Sequence, residues 1–170
     1  MPPRPPPLPL SVDALATAAA DPAREVRAAT AKGLAAVSAP PAAVTDTLAR
    51  LVGDDDALVR AAAFTALGTT GRPPGLVTAA VEALGETAWQ VRAGAATALR
   101  GASPDIAVPA LTKALGDPNA DVRKAAVLAL LHHDHPDARA ARAARAARAT
   151  ATNDPDADVR AYASRAAQPA

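Results

Sequence analysis

Few residues in this chain have types and spacings that can do chemistry. His132, His133, Asp134 and His135 place three imidazoles and a carboxylate in four consecutive positions, a donor set that suits zinc, nickel or copper. Consecutive histidines converge on one ion only when a further ligand arrives from elsewhere, and the chain offers no evident one. The cluster reads instead as an exposed helix end, where histidine complements the helix dipole. Asp54-Asp55-Asp56 can hold a cation or share acid and base roles, but an acidic run that opens a helix more simply caps it. Arg139, Arg142, Arg145 and Arg148 recur every third residue, about 300° apart on a helix, and so spread over half its circumference. They form either an anion site for phosphates or acidic surfaces, or a polar terminal cap that keeps a helical array in solution. No aromatic lies among them to stack on bases. Cysteine is absent, and Ser11, Ser38, Ser103 and Ser164 lack the Gly-x-Ser-x-Gly setting of an activated serine. No glycine loop is followed by the Lys-Ser/Thr that would cradle a phosphate. The expectation is no catalytic residue, no metal and no cofactor.

What must position these groups is a repeat. An acid, four residues, Val-Arg and an alanine-rich run occur five times, with the Val-Arg pairs at 26/27, 59/60, 91/92, 122/123 and 159/160. The valines are 33, 32, 31 and 37 residues apart, and a period near thirty means stacked supersecondary units. Asp-Pro at 21, 117 and 154 reads as the N-cap and first residue of each motif helix. Counting from the valine, positions +3/+4, +7/+8 and +11 share its face. In the second copy these are Ala62/Ala63, Ala66/Leu67 and Thr70, mostly small residues that let helices approach closely. The arginine at +1 leaves that seam and can reach the acid of its own or the adjacent repeat.

The pattern resembles HEAT-like repeats of the short bacterial type, also seen in bilin-lyase-like HEAT proteins. The residues that carry the likeness are Asp21, Asp54, Glu86, Asp117 and Asp154 with Arg27, Arg60, Arg92, Arg123 and Arg160. The resemblance covers nearly all the chain beyond its proline-rich start. It implies an all-α fold, an α-solenoid (a right-handed superhelix) of about five antiparallel helix pairs whose second helices line a concave face. Residues 1–10 are expected to be a proline-rich disordered leader. Residues 11–168 are expected to form a single repeat domain, with repeats at about 11–38, 40–70, 73–102, 104–132 and 136–168.

Composition narrows the partners. With 18 basic and 17 acidic residues and a formal charge of +1, the chain lacks the basic footprint of non-specific nucleic-acid binding. No apolar run reaches the ~18–20 residues of a membrane span, and no signal-peptide pattern opens the chain; a cytoplasmic monomer is expected. Aromatics are only 2% of residues, so the core must be built from Ala, Leu and Val. Positions +1, +2, +5, +6 and +9 are expected to face the groove. There Phe64, Arg92, Arg100, Arg123, Val127 and Leu128, together with Trp89 from the first turn of the third motif helix, would form a strip of aromatics, arginine and aliphatics like an interface core. Tyr162 is expected in the core or at an end. The function expected is a non-catalytic scaffold that takes a protein or peptide in its groove. The alternative from the same family likeness is an enzyme or enzyme subunit on such a scaffold, DNA alkylation-repair glycosylase-like or bilin-lyase-like.

Overall fold

Every Val-Arg pair lies in the first turn of a helix that starts two residues before the valine. A computed structural model describes residues 12–37, 41–70, 74–133, 144 and 146–165. Its helices are α1 (Val12–Ala18), α2 (Arg24–Leu34), α3 (Pro41–Leu51), α4 (Ala57–Leu67), α5 (Pro74–Ala83), α6 (Trp89–Ala98), α7 (Pro104–Ala114), α8 (Ala120–Leu130), α9 (residues 146–150) and α10 (Ala157–Arg165). Short 3-10 turns at Leu99–Gly101 and Leu131–His133 prolong α6 and α8. The expected leader at 1–10, most of the first helix of the fifth repeat, and Asp134, His135, Arg139, Arg142 and Arg145 lie outside the described residues.

The N-cap is not the aspartate of Asp-Pro, which corrects the sequence expectation. Asp54, Asp117 and Asp154 each accept the backbone N–H two residues on, from Asp56, Asn119 and Asp156 at 2.9, 2.8 and 2.8 Å. That is an Asx turn, one step before the helix. The cap itself sits two positions later: Asp56 accepts from Leu58 N at 2.8 Å, Asn119 from Asp121 N at 2.9 Å and Asp156 from Asp158 N at 2.9 Å. Pro118 and Pro155 thus lie in the turn, where their fixed φ closes it.

Ala23 and Ala88 hold the same cap position without a side chain to cap with, at φ −80°, ψ 119° and φ −73°, ψ 115°, close to the φ −87°, ψ 126° of Asp56. The backbone is ready for a cap that the residue does not supply. Ala88→Asn is therefore expected to stabilise the protein by about 1 kcal/mol, read as a raised denaturant midpoint with unchanged slope.

Helices α2, α4, α6, α8 and α10 pack one on the next, and α1, α3, α5 and α7 each pack on the inner helix that follows. The valines that open α4, α6, α8 and α10 are fully buried, and Leu34, Leu67, Leu99 and Leu130, eight positions beyond their valines, seal the far ends. Burial of each such leucine contributes about 1.5–3 kcal/mol. Among the described residues the outer helices α3, α5 and α7 scarcely touch each other. The inner row is drawn tight by small residues while the outer row splays, and that difference curves the stack toward its inner face.

The tightest point is α4 against α6. A Cβ on Gly94 would lie 2.6 Å from the Ala61 carbonyl oxygen and 3.3 Å from the Phe64 Cβ, and one on Gly68 would lie 2.8 Å from the Thr97 oxygen. Glycine is required at both sites because backbone fills the space a side chain would need.

Candidate functional site

Two constructions occupy the inner helices, a charged ladder at their N-terminal ends and an open groove along their free face. In the ladder each arginine does two jobs. Arg27 Nε and Nη2 donate to Asp54 at 2.7 and 2.9 Å, while Nη1 donates to the Asp21 and Pro22 carbonyls at 2.9 and 3.1 Å. Arg60 grips Glu86 at 3.0 and 2.6 Å, Arg92 grips Asp117 at 2.7 and 2.9 Å, and Arg123 grips Asp154 at 2.7 and 2.9 Å. All three place Nη1 on the first two carbonyls of their own loop. The acid reached is always that of the next repeat, so the guanidinium staples one inter-helix turn to its neighbour. Planar five-donor geometry makes this an arginine position; lysine cannot serve two carbonyls and a bidentate carboxylate together.

The acids respond. Hydrogen bonds from Arg27 and from Asp56 N outweigh burial and hold the Asp54 carboxyl below its ordinary 3.8. Arg123 does the same for Asp154. At Asp117 burial pushes upward most strongly, yet the bonds from Arg92 and Asn119 N together win and the net direction is again downward. Carboxyls depressed in the fold contribute stability that is complete above their unfolded value and is lost as pH falls through the folded one. Unfolding free energy is thus expected to stay level from pH 7 to about 5 and to decline below about 4. Chemical denaturation across that range checks it, and Asp117→Asn should flatten the decline.

The groove is a cavity of about 580 Å³ over α2, α4 and α6, with α8 at its edge. Its lining repeats in register with the motif. Position −1 from the valine gives Glu25, Leu58 and Gln90; +2 gives Ala28, Ala61 and Ala93; +3 gives Ala29, Ala62 and Gly94; +6 gives Lys32, Thr65 and Thr97. Alanine and glycine make the floor. Leu58, 48% exposed, and Trp89, 38% exposed, stand up at the N-terminal rim. Thr65 and Thr97 turn their hydroxyls back to the carbonyls of Ala61 and Ala93 at 2.8 and 3.0 Å, so neither hydroxyl donates into the space. Glu25 is in an ion pair with Arg24 at 3.0 Å, and Arg24 also reaches Asp56 at 3.1 Å. Among the described residues, the Lys32 ammonium and the Gln90 amide have no hydrogen-bond partner. The groove therefore offers apolar walls, one free cation and one free amide.

This surface differs from the strip expected from sequence. Of the seven residues expected there, Trp89 alone lines the groove. Phe64 is 2% exposed and Val127 0%, so both belong to the core. Arg92 and Arg123 are ladder residues committed to Asp117 and Asp154. Arg100 is half-buried in the turn after α6, and Leu128 is exposed on α8 outside the cavity. At about 100° per residue the observed rows lie roughly 60° from the expected ones. The cause is that an inner helix is packed on three sides, by its own outer helix and by both inner neighbours, so position +5 points at the next helix rather than at solvent. Leu58, Gln90 and Lys32 line the groove without being expected there from sequence, although each shares a register row with residues of neighbouring repeats.

Two further expectations change. His133 is buried, not exposed, and its Nε2–H donates to the Leu99 carbonyl at 3.1 Å; His132 uses Nδ1 on its own helix, at the Leu128 carbonyl, 3.0 Å away. Arg148 is likewise buried, 4% exposed, with Nη1 donating to the Leu130 carbonyl at 3.0 Å. Both side chains satisfy orphan carbonyls at the ends of α6 and α8. Among the described residues no group of three or more potential metal ligands converges.

A sequence model of HEAT repeats matches residues 12–86 and 77–168, the span that carries the ladder and the groove. The chain belongs to the HEAT-repeat family. Solved structures share the HEAT solenoid's architecture at low identity. An engineered protein superimposes with TM-score 0.67 at 24% identity, over 91% of this chain and 77% of its own. Escherichia coli YibA gives 0.69 at 22%, over 89% of this chain and 56% of YibA. A designed armadillo repeat protein in complex with the peptide (KR)4 gives 0.66 at 17%, over 92% and 80%. No curated protein matches the chain in sequence. No helix among the described residues is long and apolar enough to cross a membrane.

Proposed function

We propose that this HEAT solenoid is a non-catalytic scaffold that docks a segment of a partner protein in the groove over α2, α4 and α6. The observation that carries the reading is the exposure of Leu58 and Trp89 above a floor of alanine and glycine. A tryptophan beside an open trough is a usual anchor of an interface, the exposed leucine adds apolar area at the same rim, and the small floor leaves depth for a partner's side chains. The free Lys32 ammonium fits an acidic residue, and the Gln90 amide can both give and accept a hydrogen bond with a peptide backbone. Glu25, the one carboxylate of the lining, is already bound by Arg24, so the trough favours an apolar segment with an acid over a basic repeat such as (KR)4.

A photo-crosslinking amino acid placed at Thr65, which is exposed in the trough, should trap one specific partner in a native cell extract. The same group at Ile106, 49% exposed on outer helix α7, should not, and Trp89→Ala should reduce the Thr65 adduct tenfold or more, the loss of an anchor worth about 2 kcal/mol. Adducts formed equally well at Ile106, or unaffected by Trp89→Ala, would remove the groove from the account.

A further inference from the structure

Four ladder arginines close a rung on the following repeat, and the fifth stays open. Arg160 holds its own loop as the others do, with Nη1 donating to the Asp154 and Pro155 carbonyls at 2.6 and 3.0 Å. In its four counterparts the same anchoring leaves Nε and Nη2 for the next acid, and for Arg160 no acid is there among the described residues. At the opposite end, Asp21 forms the same Asx turn as Asp54, Asp117 and Asp154, accepting from Ala23 N at 2.8 Å. No arginine reaches its carboxylate among the described residues; Arg27 touches only the Asp21 backbone oxygen. Asp21 and Arg160 are the two halves of one unmade rung.

Burial at the ends points the same way. Val26 is 38% exposed, whereas Val59, Val91, Val122 and Val159 at its position are 0% exposed. Helices α4, α6, α8 and α10 each pack on a preceding inner helix, and among the described residues α2 has only the outer helix α1 before it. Ala29, three residues on, is exposed where Ala62 and Gly94 are buried against the preceding inner helix. On the last helix, Ala161 and Ser164 are exposed at +2 and +5, the positions from which Ala61 and Phe64 meet α6. Small residues therefore stand on both open faces, and a close helix approach like that inside the stack is sterically allowed.

We propose that the chain associates head to tail with a second copy of itself, α10 of one molecule covering α2 of the next and Arg160 pairing with Asp21. Such a contact is heterologous and does not close on two molecules, so assembly continues beyond the dimer as concentration rises. The rung is partly exposed and the covering faces are small, so association is weak and salt-sensitive.

Sedimentation velocity on the full chain, from tens to hundreds of micromolar, tests this. At low salt the weight-average mass should climb past that of a dimer, and about 1 M salt, with a Debye length of ~3 Å, should return it to the monomer. Asp21→Arg and Arg160→Asp should each abolish the climb with circular dichroism unchanged. An equimolar mixture of the two variants should restore it, because every junction then joins opposite charges, and only folded proteins can give that rescue. A mass that stays monomeric in the wild type, single variants that associate like the wild type, or a mixture that fails to recover would each overturn the proposal.

Discussion

Arg123→Ala is expected to lower the unfolding free energy by about 3 kcal/mol, far more than an ordinary surface ion pair is worth. The side chains of Arg123 and Asp154 are 11% and 7% exposed, so the pair is largely out of water. Truncation removes two bonds to Asp154 and two to the Asp117 and Pro118 carbonyls. It leaves a buried carboxylate that keeps, among the described residues, the hydrogen bond from Asp156 N. That stranded charge, rather than the lost attraction, supplies most of the cost. Arg123→Lys keeps the charge but loses the fork, and should recover less than half the loss. In a double-mutant cycle with Asp154→Ala the two losses should be strongly non-additive. Equilibrium urea denaturation reads all four proteins; a loss under about 1 kcal/mol would reduce the rung to a surface pair.

Gly94→Leu is expected to cost about 3 kcal/mol or more, despite leucine's better helix propensity. Its first added carbon would lie 2.6 Å from the Ala61 carbonyl oxygen, which is backbone and moves only if α4 moves. Overpacking alone costs about 1–3 kcal/mol; propensity returns about 1 kcal/mol at most. The rest of the leucine has no room until the α4–α6 spacing opens, and that spacing holds Phe64 and the inner row together. Gly75→Ala is the counter-case: nothing lies within 4 Å of a Cβ there, so it should be neutral or stabilising by up to about 1 kcal/mol. Thermal melts of the two variants separate a glycine needed for approach from one that is not. Equal effects would mean α4 and α6 are not in the contact described.

The solenoid was legible because five acid-x4-Val-Arg copies share one phase; the valines of the last four copies, and the leucines eight residues after the valine in the first four, occupy buried positions in the structure. Three things were not legible. The cap lay two residues from the Asp-Pro expected to make it, because a carboxylate serves an Asx turn as readily as an N-cap and only the backbone shows which. Phe64 and Val127 were assigned to the groove because a two-faced view of a helix ignores the inner neighbours on either side. His133 and Arg148 looked like surface charge, since their carbonyl partners at Leu99 and Leu130 lie 34 and 18 residues away. Trp89 was noticed for its size alone; its neighbours Leu58, Gln90 and Lys32 become a site only once the repeats are set side by side.

Trp89 is the chain's single tryptophan and stands in the groove, so its fluorescence reports on that surface without a label. With the crosslinked partner identified, titrating its trapped segment into the protein is the most direct test of groove docking. The emission of Trp89 should shift to the blue and become protected from iodide quenching as the partner covers it, with saturation at one segment per chain, and Thr65→Arg should abolish the shift while leaving the melt unchanged. A segment that binds with no change in Trp89 emission, or that binds the Thr65→Arg variant equally well, would contradict it.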